Sequence, residues 1–152
     1  MEVFNLTDIT EVKEVLERGY NPLFLPQFSF DIKVRIEFQR LIFGHSLLSR
    51  GDIPQANERF YRMVWEFKPH HCEECMKPLK NYSSVWISHI LSRGSSPEMA
   101  HDPRNINILC ATHHSQWETG ERKTMRIYPR NMKTISVLQL EYNESKKEYA
   151  KS

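Results

Sequence analysis

The strongest constraint in this chain is a set of four residues arranged as two pairs. Cys72-Glu73-Glu74-Cys75 and Cys110-Ala111-Thr112-His113 each carry two metal-ligating side chains at two-residue spacing, and 34 residues separate the pairs. A tight turn at that spacing aims both side chains at one point, and two such knuckles complete the tetrahedral donor set that Zn²⁺ favours. Three cysteines cannot all pair in disulfides. No basic stretch precedes an apolar run in the first fifteen residues, which carry Glu2, Asp8, Glu11 and Glu14. The expectation is a cytoplasmic protein, where thiols stay reduced and bind metal rather than cross-link. Six of the seven histidines lie between His70 and His114. Cys72, Cys75, Cys110 and His113 are the expected ligands of a structural zinc; His70, His71 and His101 stand as substitutes, and His114 as a replacement for His113. Such a site contributes on the order of 10–16 kcal/mol of apparent binding free energy that is also folding free energy.

Between the knuckles, Tyr82 to Leu91 is β-branched and aromatic enough to predict a strand, with His89 near its end and the cluster Ser92-Arg93-Gly94-Ser95-Ser96-Pro97 as the turn that stops it. Asp102-Pro103-Arg104-Asn105 predicts a turn, Ile106 to Leu109 a short strand, and His113 to Glu118 the first turns of a helix. The order is knuckle, strand, loop, strand, knuckle, helix. Taken without this order, His89 reads as a core histidine and Asn105 as a turn former. Trp86 and Trp117 read as core packing, and Arg93 and Arg104 as solvated loop arginines or phosphate holders.

In that order and spacing the segment resembles the HNH endonucleases, in their zinc-bracketed, treble-clef version of the ββα-metal core. The resemblance rests on Cys72-x-x-Cys75, on Val85-Trp86-Ile87-Ser88-His89-Ile90, and on Arg104-Asn105-Ile106-Asn107-Ile108-Leu109-Cys110-x-x-His113-His114. It covers residues 70–119, about a third of the chain. Ser88-His89-Ile90-Leu91-Ser92-Arg93-Gly94, followed by Pro97-Glu98, is also similar to phage recombination proteins of the NinG type, which would imply a bacterial or phage-infected cell. The resemblance implies a DNA endonuclease in which His89 is the general base, Asn105 holds the catalytic ion or the orientation of the base, and His114 ligates that ion. A neutral imidazole can take a proton from water near pH 7, and one Mg²⁺ or other divalent ion can neutralise charge on the phosphate and the leaving oxygen. The chain departs from the family pattern at Ser88, where members place an acidic residue or second histidine that ligates the catalytic ion. Ser88 is a poor substitute ligand; Asp102 or Glu118 is the expected source of the missing charge, Glu118 lying four residues after His114. Two alternatives stay open: a non-catalytic treble-clef zinc module that binds nucleic acid or protein, and a NinG-like nuclease for branched DNA.

The expected fold class is α+β: a small zinc-stabilised core flanked by N- and C-terminal helices, divided as residues 1–69, 70–119 and 120–152. With 39% apolar and 26% charged residues the chain is neither disordered nor fibrous. A membrane span needs roughly 18 apolar residues. The most apolar window, Leu23 to Phe30, is broken by Pro26, Gln27 and Ser29. A helix is predicted over residues 8–18 on Asp8, Glu11, Ile9, Val12 and Leu16; another from Pro54 through Ala56, Phe60, Val64 and Trp65; and a last one from Met132 to Tyr149. Residues 28–38 alternate like a strand yet also fit a helix. The net charge of +2 hides an asymmetry: residues 120–152 hold eight Lys and Arg against four Asp and Glu. Arg122, Lys123, Arg126, Arg130 and Lys133 there, with Arg93 and Arg104 beside the core, are the candidate phosphate contacts.

Overall fold

The structure, a computed structural model, describes residues 3–45 and 51–150, with side chains placed through residue 146. Strand β1 (Phe4–Leu6) leads to α1 (Ile9–Glu17), where the Asp8 carboxylate accepts the Thr10 N–H at 2.6 Å and Glu11 reaches back to the Thr7 N–H and hydroxyl. The ambiguous segment 28–38 divides in two. Phe28–Phe30 is β2, parallel to β1 in the register Phe4↔Phe28 to Leu6↔Phe30, and after Asp31 the chain turns into α2 (Ile32–Phe43). Helix α3 (Ile53–Phe67) opens with Pro54, whose missing N–H costs nothing in a first turn, and buries Ala56, Phe60 and Val64 on one side.

Strands β3 (Ile87–His89) and β4 (Ile106–Ile108) form an antiparallel pair with Ile87 opposite Ile108 and His89 opposite Ile106. The strand expected over residues 82–91 is cut to these three residues. The Ser83 hydroxyl accepts the Val85 N–H at 3.2 Å and starts a 3-10 turn, Ser84–Trp86, which bends the backbone away from strand geometry. Helix α4 (Ala111–Thr119) follows β4 and stops at Gly120, whose φ of +98° suits a residue without Cβ. Helix α5 (Tyr128–Ala150) begins earlier than Met132, because Pro129 is tolerated in its first turn; Arg130 therefore rides on the helix rather than in a basic connection.

One hydrophobic core joins the flanks to the centre. Val12, Phe38, Phe43, Phe60 and Val64 from the first 69 residues pack in the same cluster as Ile87, Ile106, Ile108, Leu109 and Trp117. The first region is thus welded to the hairpin and α4, and the mixed helices and small sheets make the chain α+β. A second cluster, Met99, Leu138 and Tyr142, ties α5 to the segment between β3 and β4. There Asp102 is fully buried between Arg35 at 3.4 Å and Arg104 at 2.8 Å, and the Tyr142 hydroxyl donates to it at 3.0 Å. Burial opposes ionisation of Asp102, but the two guanidinium groups prevail and hold its carboxyl down to about 2. Among the described residues no helix is long and apolar enough to cross a membrane.

Candidate functional site

The two knuckles meet. The first turn is closed by Met76 N–H donating to the Cys72 carbonyl at 2.8 Å and Cys72 N–H donating to the Lys77 carbonyl at 2.9 Å, with Met76 in the left-handed region at φ 65°. The second is the start of α4, with Cys110 as its N-cap and His113 one turn in. Glu73 stitches them together: its N–H donates to the Ile108 carbonyl at 2.8 Å and its carboxylate accepts the Ile108 N–H. The ligand atoms of Cys72, Cys75, Cys110 and His113 all lie within 4.8 Å of one another, so the four could hold a metal ion. Cys72 Sγ is 3.6 Å and Cys110 Sγ 3.2 Å from His113 Nδ1, and Cys75 Sγ is 3.9 Å from Cys110 Sγ. A zinc tetrahedron with bonds of about 2.3 Å to sulfur and about 2.0 Å to nitrogen separates its ligand atoms by about 3.5–3.8 Å, so the donor set and its spacing are consistent with structural zinc. Burial resists ionisation of Cys72, yet the backbone N–H groups of Cys110, Cys75 and Glu74 outweigh it and bring the thiol down to about 7, toward the thiolate a metal requires. The substitute histidines stay outside the cluster: His70 stacks on Trp65 at 3.7 Å, and His101 bonds Asn57 at 2.8 Å.

His114, the next residue, serves a different place. It lines an open cleft of about 720 Å³ together with His89, Glu118, Arg93, Arg122 and Tyr61. His89 Nε2 lies 2.9 Å from the Ala100 carbonyl, which can only accept, so Nε2 carries the proton and Nδ1 keeps its lone pair. Burial lowers the His89 pKa to about 4, with Arg93 adding to that effect and the Ala100 hydrogen bond opposing it. The ring is neutral near pH 7. His114 Nδ1 lies 2.5 Å from the Val85 carbonyl, and its Nε2 lies 3.0 Å from Glu118 Oε1. A neutral imidazole has one N–H, and Val85 takes it; the Nε2 lone pair then faces a carboxylate, an arrangement that needs a proton or a cation between the two. The two side chains lie four residues apart on α4 and meet at hydrogen-bond distance on the cleft wall.

Other expected site residues are placed differently. Ser88, paired with Asn107 across the hairpin, is completely buried and does not line the cleft, so it is no ligand for an ion there. Asn105 is fully buried as well: its Oδ1 accepts the Leu91 N–H at 2.8 Å while Nδ2 donates to the Leu91 carbonyl at 3.0 Å and the Met99 carbonyl at 3.3 Å. It closes the loop that brings Ala100 to His89 rather than holding an ion. Asp102 and Arg104 belong to the buried network, Arg104 reaching Glu141 at 3.0 Å, so neither supplies the cleft with charge. Arg122 stacks over Trp117 at 4.4 Å on the cleft wall. Lys123 is exposed and does not line the cleft, and Arg126 donates to the Glu73 carbonyl at 2.9 Å beside the first knuckle. Tyr61 is the cleft residue that the pattern reading passed over; its signal was an aromatic ring one position off the buried stripe of α3.

Comparison with protein-family models, with curated proteins and with solved structures finds no match to this chain.

Proposed function

We propose that the chain is a metal-dependent DNA endonuclease of the HNH type, its hairpin, α4 and Cys₃His cluster forming a treble-clef, ββα-metal core around a structural zinc. One observation carries this: His89 lines an open cleft with Nε2 engaged by Ala100 and Nδ1 without a hydrogen-bond partner among the described residues, and the same cleft holds the His114–Glu118 pair. A neutral imidazole so fixed is a general base. His89 Nδ1 takes a proton from water; the water oxygen forms a bond to phosphorus as the bond to the 3′ oxygen breaks. Arg93 and Arg122 hold the phosphate from the cleft wall. Asn105 positions the base by closing the loop between Leu91 and Met99. His114 and Glu118 would hold a Mg²⁺ or other divalent ion, which when bound supplies charge neutralisation at the phosphate and leaving oxygen. Glu118 replaces the anionic ligand missing at Ser88.

The burial of Ser88 also favours a second reading, a zinc module that binds nucleic acid or protein without cutting it, because the usual ligand position contributes nothing to the cleft. Supercoiled-plasmid nicking by wild type and His89→Ala, each with zinc content measured and with or without added Mg²⁺ or Mn²⁺, separates the two. The nuclease nicks only with added metal, and His89→Ala keeps its zinc while losing about 10²-fold or more in rate. A folded wild type that leaves both plasmid and branched DNA intact under every metal identifies the binding module; cleavage of branched DNA alone identifies the NinG-like specificity.

A further inference from the structure

We infer that Tyr61 is a further catalytic residue of this cleft, its phenol donating a hydrogen bond to a non-bridging oxygen of the phosphodiester. The inference rests on the nuclease proposal and adds a residue from the first 69 of the chain, outside the segment that carries the family resemblance. Helix α3 buries Ala56, Phe60 and Val64, four residues apart. Tyr61 stands about 100° around the helix from Phe60, which turns it off that stripe and onto the cleft wall. Its ring is fixed on two sides, edge-on to His89 at 6.0 Å and 68° and tilted against Phe60 at 6.0 Å and 56°. The ring is therefore already oriented beside the base before substrate arrives.

The hydroxyl is the part that calls for a ligand. Tyr82 and Tyr142 give theirs to the carboxylates of Glu58 at 3.2 Å and Asp102 at 3.0 Å; the hydroxyls of Tyr61, Tyr20 and Tyr128 have no hydrogen-bond partner among the described residues, and of these three Tyr61 is the one that lines the cleft. Burial raises the Tyr61 pKa above its ordinary value, with Arg93 opposing and Glu58 adding, so the phenol remains a donor throughout the neutral range. The cleft wall around it carries Arg93 and Arg122, so the group that best satisfies it is an anionic oxygen held by those two guanidinium groups. A preset donor at a phosphate undergoing attack acts most strongly where charge develops.

The test is Tyr61→Phe, which removes one oxygen and keeps the ring packed. On the DNA substrate that wild type cuts, kcat should fall about tenfold to a hundredfold. Zinc content, melting temperature and the acid limb of the pH–rate profile should stay at wild-type values. A fall of less than fivefold overturns the inference. So does a fall accompanied by lost metal, a lower melting temperature or a moved acid limb, since the hydroxyl would then serve the fold or the environment of His89. A wild type that cuts no DNA removes the nuclease proposal itself; a wild type that cuts beside an equally fast Tyr61→Phe removes only Tyr61.

Discussion

His113 and His114 are consecutive residues of α4, yet they face two sites with opposite requirements. A helical step of about 100° sends His113 into the Cys₃His cluster and His114 to the cleft. In the cluster four donor atoms close on one another within 4.8 Å, the number a tetrahedral ion needs. At the cleft His114 meets Glu118, and on the nuclease proposal a divalent ion between them would keep most of its coordination sphere for water and phosphate. The difference teaches how one short helix can serve two surroundings: on one face a closed donor set of the kind that holds structural metal, and on the other, under the nuclease proposal, an incomplete one with room for reaction.

The largest effect that would break this comparison is loss of the closed site. With zinc in the cluster as proposed, His113→Ala, or chelation of wild type, should unfold the central region, because a structural zinc contributes on the order of 10–16 kcal/mol, as much as the whole stability of an ordinary domain. His114→Ala should keep tight metal and a wild-type melting temperature. Metal analysis and thermal denaturation of the two variants decide it; equal losses would mean that the histidines share one site.

A smaller effect sharpens the open side. Glu118→Gln keeps the shape of the side chain and removes its charge, so the Mg²⁺ or Mn²⁺ concentration for half-maximal nicking should rise about tenfold to a hundredfold, with zinc content unchanged. An unchanged metal requirement would take Glu118 out of the ion site.

The smallest effect is a rate that barely moves with pH. On the nuclease proposal His89 acts as a base when neutral, and burial holds its pKa to about 4, so at saturating metal the rate should stay within about twofold between pH 7 and pH 5 and fall through about 4. A base titrating at the ordinary 6.5 would lose most of its activity by pH 5. Stability runs with the same sign. The unfolded chain takes up protons near 6.5, whereas folded His89 and His101 do so only near 4, so stability is full above about 6.5 and declines as pH falls from there toward 4. Melting temperatures at pH 7 and pH 5 measure it; a higher value at pH 5 would contradict the burial of both rings.

Much of the centre was legible because its determinants are local. The knuckle spacing and the Asp102 turn each depend on a few consecutive residues, and the structure forms both. Residues 82–91 misled because β-branched composition outweighed a single serine hydroxyl that redirects the backbone at Ser83. Asn105 and Asp102 could not be assigned from spacing, since their partners lie elsewhere: Arg35 is 67 residues from Asp102, and the loop that Asn105 closes spans Leu91 to Met99.

The amino-acid order alone determined which residues could bind metal and in what sequence the hairpin and helix follow, because ligand spacing, turn chemistry and helix stops act over one or two turns of chain. Only the tertiary structure decided which histidine enters which site, that Ser88 and Asn105 turn inward, that Asp102 is held between two arginines, and that Tyr61 reaches His89. The physical reason is that a polar side chain's role follows from which partners occupy its donors and acceptors, and packing brings those partners from distant parts of the chain.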